Sequence, residues 1–240
     1  MNEIGVIERL EPSFDFSWVK NLKDINIISS KNLTDSLIDI LLNNKSKIIY
    51  HHNVTGFGGT SIEPGIYSIE ESKKQVNKLI NRGFSLDQIV LRIHPIIPTQ
   101  KGLDKFEEVL ESYKDTYIKR VRLGFLVTWD RDKSNEHFTK MLKEEKFNCK
   151  VQEINESLVL NIIRNRTDYE YETCIDTGSF MPYALSCASG KDIRVLKLAI
   201  SINSSKGVLR CPDNRVELLT LDKHNPCPGR CAYCFYRAKI

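Results

Sequence analysis

Short β-branched runs alternate with amphipathic stretches along most of the chain. INIIS (26–30), KIIYHHN (47–53), QIVLRIHP (88–95) and RVRLGFLVTWD (120–130) are apolar nearly throughout. That is the pattern of strands covered on both faces. NCKVQ (148–152) reads as a short fifth strand, YETCID (171–176) as a sixth, and RVELLTL (215–221) as one more. Helical patterns lie between them. One runs from Asn32 or Thr34 through Leu42, with Leu37, Ile38, Ile40, Leu41 and Leu42 on its apolar side. A second opens at Ser68, with Glu71 in capping-box position, and stops at Gly83. Leu103–Tyr113, Ser134–Glu145 and Glu156–Asn165 complete the set, and 184–188 and 193–200 carry a weaker helical pattern. Residues 1–24 show no clear period and read as an irregular lead-in with room for one short helix.

A strand–helix rhythm with short connections means parallel strands joined by crossover helices, in a barrel or a doubly wound sheet. No linker interrupts it, so 25–240 is expected to be a single α/β domain, with residues 221–240 as its terminal loop. At 240 residues the chain can bury a sizeable core, so its cysteines are not needed as staples. The formal charge of +4 comes without a long Lys/Arg run, which leaves a nucleic-acid partner open but not indicated. The first residues are charged and lack an apolar leader, and no run reaches membrane-spanning length. The expected location is therefore the cytoplasm, away from membranes, where thiols stay reduced. Seven cysteines is an odd number and speaks against a full disulfide framework, which turns attention to metal or redox chemistry.

Cys227, Cys231 and Cys234 stand in C-x3-C-x2-C spacing, separated by small or turn-forming residues. Thiolates on so tight a loop suit a 4Fe–4S cluster or zinc. Three readings follow. Three cysteines can hold a cluster with one iron open to a small molecule. A fourth ligand, Cys211 or His224, would complete a zinc site in a non-catalytic module. Cys211 or Cys187 as fourth ligand would close a cluster for electron transfer.

Functional side chains in parallel α/β folds gather at the carboxyl ends of strands. Here these are Ser29, Ser30 and Lys31; His51, His52 and Asn53; Arg92 and His94; Thr128, Trp129 and Asp130; and Asp176. His51 and His52 are adjacent, so they face opposite ways, one inward and one under a helix. Arg92 and His94 share a face, and either hold a ligand or join a buried ion pair with an acid of a neighbouring strand. The glycine-rich loop 56–60 offers backbone N–H groups to an anion, or serves as a plain turn. Cys149 and Cys174 read as inert buried thiols.

With Tyr233 before the third cysteine, the motif resembles the radical S-adenosylmethionine superfamily. That resemblance implies a 4Fe–4S cluster on Cys227, Cys231 and Cys234 and S-adenosylmethionine on the open iron. It also implies an external electron donor and reductive cleavage to a 5′-deoxyadenosyl radical. The fold it implies is a partial (β/α)6-like TIM-type barrel. The cluster loop lies at the C-terminus, which resembles an uncharacterised bacterial family, a domain of unknown function whose members end in such a cysteine cluster. Thr55, Gly56, Gly58, Gly59, Ile62, Glu63, Pro64 and Gly65 are similar to that family, as are Arg92, His94, Pro95 and Ile96, within a resemblance spanning 26–240. By the same resemblance, Tyr233, Gly58, Gly59, Glu63, Arg92 and His94 would contact the cofactor. Two features depart from the pattern: His94 stands where an acid is expected, and an upstream Cys-Gly-Cys pair is missing. A circularly permuted barrel is expected, with 215–221 directly beside 26–30. Nothing in the residues names the substrate.

Overall fold

The computed structural model describes residues 3–8, 10–97, 99–126, 156–173, 178–183, 188–197, 214–219 and 227–234. The predicted helix at 134–145 and strand at 148–152 lie outside these residues. So do Thr128, Trp129, Asp130, Cys149, Cys174, Asp176, Cys187, Cys211 and His224.

Among the described residues, seven strands form one sheet: β1 (Ile4–Ile7), β2 (Ile25–Ser30), β3 (Ile48–Asn53), β4 (Ile89–Ile96), β5 (Arg120–Phe125), β6 (Glu170–Thr173) and β7 (Arg215–Glu217). Their order is β6-β5-β4-β3-β2-β1-β7, and every pairing is parallel. Six of the strands, β2 to β7, begin within a residue of the sequence expectation, and for the central four, β2 to β5, unbroken β-branched runs leave little choice of state.

Two expectations are corrected. Residues 1–24 are not an irregular lead-in throughout, since Ile4–Ile7 forms an inner strand of the sheet. Only four residues long and containing Gly5, it has too little pattern to be seen. As a result β7 pairs with β1, Ile4 opposite Arg215, and not with β2. The permuted arrangement with 215–221 directly beside 26–30 is therefore not what the sheet adopts. A smaller difference is that β4 runs through Pro95 to Ile96, with a register shift against β5 between Ile93 and Ile96.

The helices are α1 (Asp35–Asn43), α2 (Ile69–Asn81), α3 (Gln100–Tyr113), α4 (Glu156–Asn165) and α5 (Gly190–Leu196). Side-chain caps set the starts of the first three. Thr34, Ser68 and Thr99 hydroxyls accept from the N–H groups of Leu37, Glu71 and Gly102. Helices α1 to α4 all pack on one face of the sheet, here called outer. There Leu37, Val76, Leu79, Phe106, Val109 and Val159 meet Ile28, Tyr50, Leu91 and Val121. Burying each such side chain is worth about 1.5–3 kcal/mol. Right-handed crossovers between strands taken in sequence order place helices on one face, as seen here.

The inner face is divided. Near the strand starts it is apolar: Ile4, Val6, Ile25, Ile27, Ile49 and Val90 are covered by Ile193 and Leu196 of α5. Toward the strand ends it is charged. Glu8 holds Arg92 at 2.7 Å and Arg215 at 3.1 Å. A second charged group lies at the strand starts of β5 and β6, where Glu172 holds Arg120, the first residue of β5, at 2.8 Å and Arg122 at 2.9 Å. No helix among the described residues is long and apolar enough to cross a membrane.

Candidate functional site

The cysteine loop sits against the segments that follow β2 and β3. Two backbone bonds fix it: Ala232 N–H donates to the Ile62 carbonyl at 2.9 Å, and Gly65 N–H donates to the Gly229 carbonyl at 3.2 Å. Ala232 also closes a small apolar cluster with Phe57, Ile62 and Ile97, against which Tyr233 packs. The approach is so close that a Cβ on Gly65 would lie 2.2 Å from the Pro228 carbonyl oxygen. Asn32 holds the facing segment. Its amide donates to the Gly65 carbonyl at 2.8 Å, and its side-chain oxygen accepts from Tyr67 N–H at 2.9 Å.

Beside the loop lies a buried polar cluster. Glu63 is fully buried, and its carboxylate accepts from Lys31 Nζ, the Tyr233 hydroxyl and the Thr55 hydroxyl. Lys31 Nζ also reaches the Tyr233 hydroxyl and lies 4.8 Å from the centre of its ring. On the other side, Glu11 accepts from the Ser30 hydroxyl at 2.5 Å and from Lys31 N–H at 2.6 Å. Of these, Lys31 and Ser30 came from the strand-end argument, Glu63 and Tyr233 from the family resemblance. Glu11 and Asn32 were missed. Glu11 carries no signal, because it belongs to the segment read as irregular. Asn32 was read only as a helix cap.

The electrostatics follow from burial and pairing. Burial alone would pull the Lys31 ammonium down, but the Glu63 carboxylate, with Cys231 and Glu11, outweighs it and holds the pKa above the usual lysine value. Burial raises Glu11 above the ordinary carboxylate range, and its hydrogen bonds only partly oppose this. Burial also raises Cys227 and pushes Cys231 up to about 12, with the Lys31 charge opposing at Cys231. Both sulfurs are therefore thiols at neutral pH in the metal-free protein, and a metal would bind by displacing their protons.

The other predicted positions fall elsewhere. Gly58 and Gly59 close their own loop: Gly59 N–H donates to the Glu63 carbonyl, and a Cβ on Gly58 would strike the Tyr67 carbonyl. Gly59, at φ +75°, adopts a conformation that suits glycine. Arg92 is in a buried ion pair with Glu8, the second of the two expectations for it, although its partner comes from the lead-in. His94 shares that face, its ring against Gly124. The two adjacent histidines face opposite ways as expected. His51 Nδ1 lies 3.5 Å from Arg92 on the inner side. His52 is buried outward against Tyr50, Tyr113 and Ser72.

A family model described as "Domain of unknown function (DUF1848)" matches residues 18–236. The chain belongs to this family. The match covers the sheet from β2 onward and all three loop cysteines, and leaves out β1 with Glu8 and Glu11. No curated protein and no solved structure matches the chain.

Among the described residues, no three His, Cys, Asp or Glu side chains come together closely enough to hold a metal ion. Three thiols on one loop are a donor set for an iron–sulfur cluster or for zinc. In a cluster each thiolate binds a different iron, so the sulfurs need not meet at one point. Tetrahedral zinc needs its ligands within about 2.3 Å of one centre. The three thiols are half-buried on one loop, and a Cβ placed on Gly229 would lie 3.5 Å from Cys227 Sγ and 3.8 Å from Cys231 Sγ.

Proposed function

We propose that this DUF1848 protein is an iron–sulfur enzyme of the radical S-adenosylmethionine type. Cys227, Cys231 and Cys234 would hold a 4Fe–4S cluster. The observation that carries the reading is the seating of the thiol loop, clamped by Ile62 and Gly65 to the segment that follows β3. A loop held at the strand-end rim of a parallel sheet occupies the position where such folds build active sites. A free-standing zinc knuckle would not need that attachment. When bound, the cluster would supply the electron for reductive cleavage of S-adenosylmethionine. The chain's own residues hold the loop, bury its sulfurs and place the Lys31 cation against Tyr233 of that loop. An external electron donor is required, and the substrate is left open.

We also infer that the sheet curls toward its inner face in the manner of a partial barrel. In a flat sheet β1 and β4 would be about 14 Å apart, at three strand spacings. Arg92 and Glu8, projecting from that face, nevertheless pair at 2.7 Å.

The test is anaerobic purification or reconstitution, followed by iron and sulfide analysis. About four irons per chain, lost on Cys231→Ser, are expected for a 4Fe–4S centre. Dithionite-reduced protein should then cleave added S-adenosylmethionine. Stoichiometric zinc without iron would overturn the cluster, and a fully loaded protein that never cleaves the cofactor would overturn the enzyme.

A further inference from the structure

Lys31 and Glu63 form a buried, oppositely charged pair beside the thiol loop. Both are hydrogen-bonded to the hydroxyl of Tyr233, the residue next to Cys234. We propose that this pair sets the reduction potential and stability of the centre held by the three cysteines, with Lys31 favouring its more negative state and Glu63 opposing it. The inference rests on the iron–sulfur reading above.

The geometry makes the pair a fixed source of field. The Lys31 side chain is 14% exposed and that of Glu63 1%, so water screens neither effectively. Both are anchored. The Lys31 backbone is pinned by Glu11, and Glu63 is pinned by Thr55 as well as by the lysine. The lysine lies over the Tyr233 ring, so its charge faces the cysteine loop. Its ammonium hydrogen-bonds the hydroxyl of Tyr233, one residue from Cys234 and two from Cys231. The partners are part of the loop's own fold: Tyr233 packs on the Phe57–Ile62–Ile97–Ala232 cluster, so pair and loop cannot shift independently.

The sign follows from charge. Three thiolates on a 4Fe–4S core carry net negative charge, and adding one electron from an external donor such as dithionite makes it more negative, with no proton required. A nearby fixed cation stabilises the reduced form and raises the potential; a nearby carboxylate lowers it. Forming a metal–thiolate group from neutral thiols also creates negative charge, so Lys31 strengthens metal retention by the same physics. Lys31 and Glu63 are positioning residues here, acting through the loop.

The experiment compares wild type, Lys31→Met, Lys31→Arg and Glu63→Gln. Each protein is reconstituted anaerobically with iron and sulfide, assayed for both, and titrated potentiometrically with the reduced centre followed by electron paramagnetic resonance. Lys31→Met is expected to shift the reduction equilibrium toward the oxidised form on the order of tenfold, equivalent to about 59 mV for one electron. Glu63→Gln is expected to shift it the opposite way, and Lys31→Arg to stay near wild type. Equal potentials in all four loaded proteins overturn the proposal, as do shifts of the same sign in Lys31→Met and Glu63→Gln.

The metal-free proteins provide a second arm that does not depend on iron. Cadmium binding to the thiols, followed by its sulfur-to-metal ultraviolet band, should be several-fold weaker in Lys31→Met than in wild type or Lys31→Arg. Equal cadmium affinity overturns the role of Lys31 even if the wild type takes up no cluster. A wild type that refuses iron but shows the cadmium difference overturns the iron–sulfur reading and supports the electrostatic role of Lys31.

Discussion

Two buried charge clusters lie at opposite ends of the strands, and they are built differently. At the strand starts, Arg120 is held by Glu172 and by Asp192 of α5, and Arg122 shares Glu172. Asp192 is also half of the capping box with Ser189 that begins α5. These contacts tie two strands to the helix that covers the inner face. At the strand ends, Glu11, Lys31 and Glu63 are tied to Tyr233 and so to the cysteine loop. The first cluster fastens secondary structure to secondary structure. The second fastens secondary structure to a loop that carries reactive sulfur. Buried charge is costly in both places and is retained at one for architecture and at the other, in our proposal, for the thiol centre.

The largest expected effect tests the architectural cluster. Glu172→Gln leaves Arg120 and Arg122 buried with one carboxylate fewer and should cost about 3–5 kcal/mol in urea unfolding. It should not alter cadmium binding at the thiols, and a matching loss there would erase the distinction between the two clusters.

Gly65→Ala acts at the other end. The added methyl meets the Pro228 carbonyl, so the cysteine loop must move away from the β3 segment. A stability loss of about 1–3 kcal/mol is expected, together with weaker metal retention, measured by urea unfolding and metal analysis. Full retention would show that the loop does not depend on this seat.

Acid separates both clusters from the outer face. Burial lowers His52 from 6.5 to about 3, so the folded protein keeps it neutral where the unfolded chain protonates it. Its contribution to stability is complete above about pH 6.5 and is lost as pH falls toward 3, at up to about 1.4 kcal/mol per pH unit. Glu172 is a carboxylate held down by Arg122 and Arg120 against burial, so its contribution fades only below about 4.5, the ordinary glutamate range. Glu11, raised by burial, works in the opposite direction and is relieved by acid. Thermal melts from pH 7 to 5 should therefore fall in wild type and flatten in His52→Gln. An unchanged slope in that variant would remove His52 from the account.

The smallest effect provides a control. Lys78 and Asp35 pair at 2.7 Å on the exposed surface between α2 and α1. Lys78→Ala should change stability by less than about 1 kcal/mol and leave metal binding untouched, as judged by the same assays.

Much of this architecture was legible before the structure. The runs around Ile28, Tyr50, Leu91 and Val121 are too apolar and β-branched to be anything but covered strands. Thr34 and Ser68 mark helix starts because their hydroxyls satisfy N–H groups that the helix leaves open. The thiol loop was visible because three cysteines in eight residues is a chemical statement in itself. Strand β1 was hidden because four residues are too short for a period to emerge, and Glu8 and Glu11 were hidden with it. Arg92 illustrates the same limit. Its place at a strand end was plain, but its partner Glu8 is 84 residues away in the chain.

The sequence by itself determined the local states and the donor chemistry, since these depend on patterns within a few residues: period, caps and cysteine spacing. Only the tertiary structure decided that β1 lies between β2 and β7, and that Glu11, Lys31, Glu63 and Tyr233 meet beside the thiols. Those contacts join residues that are 20 to 202 positions apart in the chain. Their physical cause is the burial of a parallel sheet on both faces, which has no signature in any single stretch.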